Sequence, residues 1–231
     1  MGRLKNWIRP LSFHALDDAR KDDARPTADQ ILDYITAREV ICGVDGFCDR
    51  YAEVAEVQDA LPVVAAEEII LEKLVWPLRH AKGSYALGNY IGCIALCGFV
   101  GEMAAVLLWD ISDFGRRLAA ENQNRLFGKP FEKLGQARRV QVLQGLGLVD
   151  PETANEFTTA AEKRNKYLHL LSFSHDQISE DARAAFESAM AIVKFVIGPT
   201  SNSGTVVLRE DLSRYLRERG VLYEDEPDEH A

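Results

Sequence analysis

The stretch that most constrains the fold is an apolar run in the middle of the chain. From Tyr90 to Trp109 the sequence carries one charged side chain, Glu102. A run of this length matches the ~20 residues that a helix needs to cross a bilayer. However, four glycines and two cysteines lie in or just before it, and an ionisable group at midspan is costly in lipid. We therefore favour the central helix of a closely packed bundle over a membrane span.

The rest of the chain also reads as helical. No alternation of polar and apolar residues is long enough for a sheet, and we find no repeats. We predict an all-α protein, an up-and-down helical bundle over residues 62–198. We expect residues 1–61 to form an N-terminal helical extension and residues 199–231 to form a linker and an acidic tail. Between these two, the spacing of Leu212, Tyr215 and Leu216 suits a terminal helix or hook.

Three features of the bundle sequence give more specific expectations. A basic helix is predicted from Pro130 to about Leu146, with Arg138 and Arg139 outward, after a polar connection over residues 116–128. Pro77 is expected to kink or end the helix that contains it. The last core helix is predicted from Glu180 to Ile197, before a glycine and a proline.

The charge is unevenly distributed. The net charge of −9 argues against indiscriminate binding to nucleic acids or anionic membranes. Between Phe114 and His169, however, ten basic residues face six acidic ones, so this segment is +4 and the remainder is −13. A local basic surface of this kind is compatible with an RNA substrate.

The cysteines favour a reduced, cytoplasmic setting, because we find no secretory signal ahead of them. Cys93 and Cys97 are four residues apart on the apolar run and in principle share a metal. No Cys-x-x-Cys pair or close histidine completes such a site, so both read as small buried side chains. We expect neither a metal nor another cofactor.

A polar interruption marks the most informative helix. Asp150 and Pro151 begin it as N-cap and first residue. An apolar stripe then follows helical spacing through the residues Phe157, Ala161, Arg164, Leu168 and Leu171. The arginine therefore interrupts a stripe that should face a core.

Two further polar residues follow it. Asn165 and His169 are four apart and share a neighbouring face of the helix. Arg164 and His169 diverge by about 140°, so the long arginine side chain has to bring them together. A permanent cation beside a titratable imidazole is suited to holding a phosphate.

This pattern resembles the HEPN superfamily of helical domains. Its signature is an arginine, a polar residue directly after it, three further residues and a histidine, matched here by Arg164, Asn165 and His169. The order of elements is similar too: a long apolar helix, a basic helix ending at residues 145–150, then the motif helix. The resemblance covers about Pro62 to Gly198.

The resemblance implies a metal-independent endoribonuclease of the toxin or phage-defence type, acting as a homodimer whose motif helices meet. RNA supplies its own nucleophile, the 2′-hydroxyl. His169 would be the general acid/base, Arg164 would stabilise the phosphate, and Asn165 would orient the histidine or contact the substrate. We expect further substrate contacts from Lys166, Tyr167, Arg138 and Arg139. A cognate antitoxin or regulator protein is a further expected partner.

Other interpretations remain open from the sequence. Arg164 and His169 also suit an interhelical hydrogen-bond network, and Glu102 suits either a second site residue or a partner for an arginine inside the bundle. Some proteins with the HEPN fold are non-catalytic scaffolds or regulators, and mannitol-repressor-like proteins have a similar layout. The main alternative is therefore a non-catalytic dimerisation or transcription-regulatory module.

Overall fold

The computed structural model describes residues 27–28, 44–55, 70–168, 174–198 and 208–220. These residues form nine α-helices of five residues or more and no strand. The helices are α1 Val44–Ala55, α2 Trp76–Ala86, α3 Tyr90–Ile111, α4 Asp113–Arg117, α5 Ala120–Phe127, α6 Gln136–Gly145, α7 Pro151–Leu168, α8 Ile178–Ile197 and α9 Glu210–Glu218. The predicted all-α class and its packing as a helical bundle are confirmed.

The apolar run forms α3, the central helix of this bundle. Asn89 caps its start, where the side-chain Oδ1 accepts a hydrogen bond from the Gly92 amide at 2.9 Å. Helices α2, α7 and α8 pack along it, and α6 contacts it as well. In the part of the chain that the structure describes, α3 is the one helix long and apolar enough to cross a membrane. Its buried side chains belong to the bundle core, which accounts for its apolarity.

Pro77 lies in the first turn of α2, directly after a π-helical segment, Leu71–Val75. Proline has no backbone N–H, and its ring collides with the carbonyl four residues earlier in a regular α-helix. A wider turn just before the proline relieves that conflict. The helical path is therefore locally altered at Pro77 and continues beyond it.

The basic segment differs from the single helix predicted between Pro130 and Leu146. A 3₁₀ turn covers Phe131–Lys133, the backbone is extended at Leu134, and α6 begins only at Gln136. Phe131 stacks on Trp109 of α3 with ring centroids 4.3 Å apart, and Leu134 is buried. The break lets both side chains reach the core, so burial overrides local helix propensity here. The polar connection that precedes this segment contains α4 and α5.

The two ends of the described chain pack onto the bundle. Near the N-terminus, α1 lies on α2, where Arg50 Nε donates to the Ala86 carbonyl at 2.8 Å. Helix α8 buries the face that the sequence predicted. It ends at Ile197 and is followed by the C-cap residue Gly198, whose φ of 116° favours glycine. Residues 199–207 and the acidic tail from residue 221 lie outside the described residues, as do most of residues 1–61.

The terminal helix that the sequence suggested around Leu212 and Leu216 is present as α9, and it packs on the core. Leu212 and Leu216 of α9 are fully buried in the core. At its rim, Arg214 pairs with Asp113 of α4 at 2.8 Å. The apolar contacts account for the docking, because exposed ion pairs contribute little to stability.

We expect Leu216→Ala to lower the free energy of unfolding by about 2–5 kcal/mol, because it leaves a cavity in the core. Leu126→Ala is the matched control, since Leu126 is 60 % exposed on α5 and its loss should cost less than about 0.5 kcal/mol. Urea unfolding followed by circular dichroism measures both. Equal effects of the two substitutions would show that α9 is not part of the folded core.

Candidate functional site

Helix α7 carries the motif, and it begins where the sequence predicted. Asp150 Oδ1 accepts a hydrogen bond from the Thr153 amide at 2.7 Å, and Pro151 is the first helical residue. The N-cap bond and the fixed φ of proline define this start. The described part of the helix ends at Leu168, so His169 and Leu171 lie outside the described residues.

The apolar stripe of α7 agrees with the prediction at Phe157, which is fully buried, and departs from it at Leu168. Ala154, Phe157 and Ala160 are buried, whereas Leu168 is 41 % exposed. The prediction that Leu168 faces the core is therefore wrong. Arg164 lies at the margin of the buried face, with its side chain 20 % exposed, so water reaches part of it.

Gly98 of α3 provides the surface on which Arg164 rests. A Cβ at Gly98 would lie 2.6 Å from Arg164 Cδ and 3.0 Å from Arg164 Cβ and Cγ. Such distances are far inside van der Waals contact, so the arginine stem fills the space that any other side chain would take. Only glycine allows this approach of the two helices.

The guanidinium of Arg164 is held by polar groups on two helices. Its Nη1 forms an ion pair with Glu102 of α3, and its Nη2 donates to Asn165 Oδ1 at 3.3 Å. Its Nε is buried and has no hydrogen-bond partner among the residues that the structure describes. Glu102 therefore pairs with an arginine inside the bundle, one of the two roles considered for it. The ion pair does not exclude the other role, because both side chains remain partly exposed.

The same turns of α7 carry a second polar cluster, on an adjacent face, which is centred on Asp181 of α8. Lys163 Nζ donates to Asp181 Oδ1 at 2.5 Å, while Lys166 Nζ and Tyr167 Oη each donate to Oδ2 at 2.6 Å. Burial raises the pKa of the Asp181 carboxyl, but these hydrogen bonds outweigh it and the pKa falls to about 2. Asp181 is thus ionised at neutral pH and neutralises part of the charge on α7.

The two arginines of α6 have different environments. Arg138 is exposed and reaches Gln141 at 3.3 Å, as expected of an outward side chain. Arg139 is buried, and its Nη2 donates to the Glu132 carbonyl at 2.5 Å. The prediction that Arg139 points outward is therefore wrong. Its guanidinium instead ties α6 to the 3₁₀ turn, because the break before α6 brings that carbonyl within reach.

Sequence reasoning did not identify Asp181 or Gly98 as important to the site. Asp181 reads as an ordinary acidic residue in the first turn of a helix, where acids are common. The signal for Gly98 was weaker still, because it is one of several glycines in the apolar run.

The two cysteines of the apolar run are buried, and burial raises the pKa of the Cys97 thiol, with Cys93 adding to the effect. Among the described residues no three metal-ligating side chains lie together.

Comparisons with protein-family models, with curated proteins and with solved structures gave no match. The all-helical bundle is thus the level at which the structure agrees with the HEPN resemblance.

Two glycines of α3 offer a matched test of this geometry. Gly98→Ala should displace Arg164 and lower stability, because its Cβ collides with the arginine stem. Gly101→Ala should be neutral or stabilising by up to about 1 kcal/mol, since alanine favours helix and the nearest atoms, in Ile192, Ala160 and Gln136, lie at 3.8–3.9 Å. Thermal unfolding compares the two variants. A Gly98→Ala protein as stable as Gly101→Ala would show that Arg164 does not rest on α3.

Proposed function

We propose that this protein is a metal-independent endoribonuclease with Arg164, Asn165 and His169 as its catalytic residues. The observation that supports this most is the environment of Arg164. The side chain is oriented by Gly98 and Glu102, yet remains partly exposed beside Asn165. A preoriented guanidinium that solvent reaches is suited to stabilising charge on a phosphate.

The proposed reaction uses the ribose as nucleophile. A base removes the proton of the 2′-hydroxyl, whose oxygen then attacks the adjacent phosphorus. The bond from phosphorus to the 5′-oxygen breaks, and that oxygen leaves with a proton as a 5′-hydroxyl. The other product end is a 2′,3′-cyclic phosphate. His169 serves as the proton-transfer group, since its reference pKa is ~6.5, and Arg164 donates to the phosphate oxygens.

The ion pair with Glu102 shapes the electrostatics of this site. Arg164 and Glu102 together carry no net charge, so the pair attracts a phosphate less than a lone arginine would. A protonated His169 would restore a positive charge beside the substrate. We therefore expect RNA affinity to increase when His169 is protonated.

We also propose that the protein acts as a homodimer in the cytoplasm. A cognate antitoxin or regulator protein is proposed as a further partner. Phe99 lies next to Gly98 on α3 and is 37 % exposed, and Leu168 on α7 is exposed as well. These apolar side chains lie on the two helices that carry Glu102 and Arg164. Pairing of these helices in two copies of the chain would bring two motif helices to one cleft for RNA.

A non-catalytic dimerisation or regulatory module is the second candidate function. The ion pair of Arg164 with Glu102 favours it, because this contact alone would explain a polar residue at the margin of the core. In that case Arg164 contributes to folding and partner choice, and His169 has no chemical role. Cleavage assays separate the two candidates.

We expect the wild type to cut single-stranded RNA in EDTA, to leave 2′,3′-cyclic phosphates and to spare 2′-deoxy linkages. His169→Ala should lower kcat by roughly 10²–10⁴-fold, because a general acid/base is lost. Arg164→Lys should also lose activity relative to the wild type, since an ammonium does not reproduce the planar donor fork of a guanidinium. Gel-resolved cleavage of labelled RNA, with end-group analysis, measures these effects.

The matched controls are His80→Ala and Arg183→Lys, which alter exposed residues of α2 and α8. Both should cut RNA like the wild type. If the wild type cuts no RNA and His169→Ala changes nothing but stability, the regulatory module is the better assignment.

The dimer has its own test. Sedimentation equilibrium should give a dimer for the wild type, and Phe99→Glu should raise the dissociation constant by about tenfold or more. Leu126→Glu changes an exposed leucine of α5 in the same way and should leave the dimer intact. A monomeric wild type at tens of micromolar would rule out a composite cleft.

A further inference from the structure

Lys163, Lys166 and Tyr167 lie on one face of α7, because residues three and four apart are neighbours on a helix. Arg164 lies on an adjacent face, against α3. The motif helix is thus fastened on two sides, to α3 through Arg164 and to α8 through the Asp181 cluster.

The Asp181 cluster engages two basic groups of α7 that would otherwise be able to bind a phosphate. The Asp181 side chain is 9 % exposed, and Lys163 and Lys166 are 29 % and 25 % exposed. Both ammonium groups and the phenol hydroxyl therefore point to a buried carboxylate. A phosphate would have to compete with a charge-assisted hydrogen bond at 2.5–2.6 Å for each lysine.

We propose that Asp181 is a positioning residue of the site, clamping the last turns of α7 to α8 through Lys163, Lys166 and Tyr167 and leaving the RNA phosphate to Arg164. The inference rests on the proposed ribonuclease function. It also revises the expectation that Lys166 contacts the substrate directly.

The aromatic contacts of the cluster support a fixed geometry. Lys166 Nζ lies 5.0 Å from the centroid of the Tyr167 ring, and the His175 ring meets the Tyr167 ring edge to face at 5.8 Å. The side chain of Tyr167 is thus held at its hydroxyl and at its ring. A helix end held in this way keeps Arg164 in register, and displacements of about 1 Å are enough to cost 10²-fold in rate.

The test is Asp181→Asn, with Glu187→Gln as the matched control. Both variants remove one negative charge from α8, but Glu187 pairs with the half-exposed Arg183, at 2.9 Å, and not with α7 in the described part of the chain. Circular dichroism establishes that each variant is folded. Tyr167→Phe removes one hydrogen bond of the cluster and serves if Asp181→Asn does not fold.

The first readout is independent of catalysis. In Asp181→Asn, acylation of Lys163 and Lys166 by an acetyl N-hydroxysuccinimide ester, followed by peptide mass spectrometry, should be several-fold faster than in the wild type. The exposed Lys129 is the internal reference. Unchanged rates at both lysines would overturn the clamp.

The second readout is RNA binding and cleavage. With two ammonium groups released, the slope of log K against log salt for single-stranded RNA should steepen by about 1.4, measured in a His169→Ala background. In the protein that retains His169, kcat should fall by roughly 10–100-fold while KM does not rise. Circular dichroism equal to that of the wild type excludes loss of folded enzyme as the cause. Tyr167→Phe should lower kcat without changing the salt slope.

The failures are distinguishable. A wild type that cuts RNA beside an Asp181→Asn variant with the same kcat, KM and salt slope overturns the positioning role and leaves the ribonuclease intact. A wild type that neither binds nor cuts RNA overturns the ribonuclease, and the role of Asp181 at an RNA site with it. Faster lysine acylation in Asp181→Asn would then mark a purely structural tie between α7 and α8.

Discussion

The contact between α3 and α7 at Gly98 is the interaction on which the site depends. Because Gly98 has no side chain, the stem of Arg164 lies directly against the central helix and its guanidinium reaches Glu102. Glu102 in turn is the one charge in the apolar run. Each of the two charged groups would be costly at the margin of a core without the other, so the pair and the glycine form one unit.

This unit explains why an arginine occurs at the margin of a core face. Replacing a buried ion pair with apolar residues is often neutral or stabilising, so such a pair is weak evidence for a stabilising role. The proposed catalytic role would give the pair a reason to be present, since preoriented donors need a firm support. The second tie of α7, through Asp181, adds that support from α8 and directs the helix's own lysines away from solvent. In the proposed ribonuclease, activity and architecture would therefore be coupled along one helix.

Several parts of this arrangement were predictable from residue patterns. The central helix, the start of α7 at Asp150 and the buried face of α8 follow from apolar length, capping residues and helical spacing, which are local properties. The break before α6, the place at which α9 docks and the burial of Arg139 were not predictable. Each depends on a distant partner: Trp109 for the break, the core for Leu216, and a carbonyl of the 3₁₀ turn for Arg139.

The sequence by itself determined the helical class, the central helix and the set of polar residues on α7. Periodicity identifies a helix and its faces because side-chain direction repeats every 3.6 residues. Only the tertiary structure decided which partner each polar residue meets. Arg164 meets Glu102 across 62 positions of sequence, and Lys163 meets Asp181 across 18, and no local pattern encodes such pairs. Their identity follows from how the helices pack, which depends on the fit of whole faces, as at Gly98.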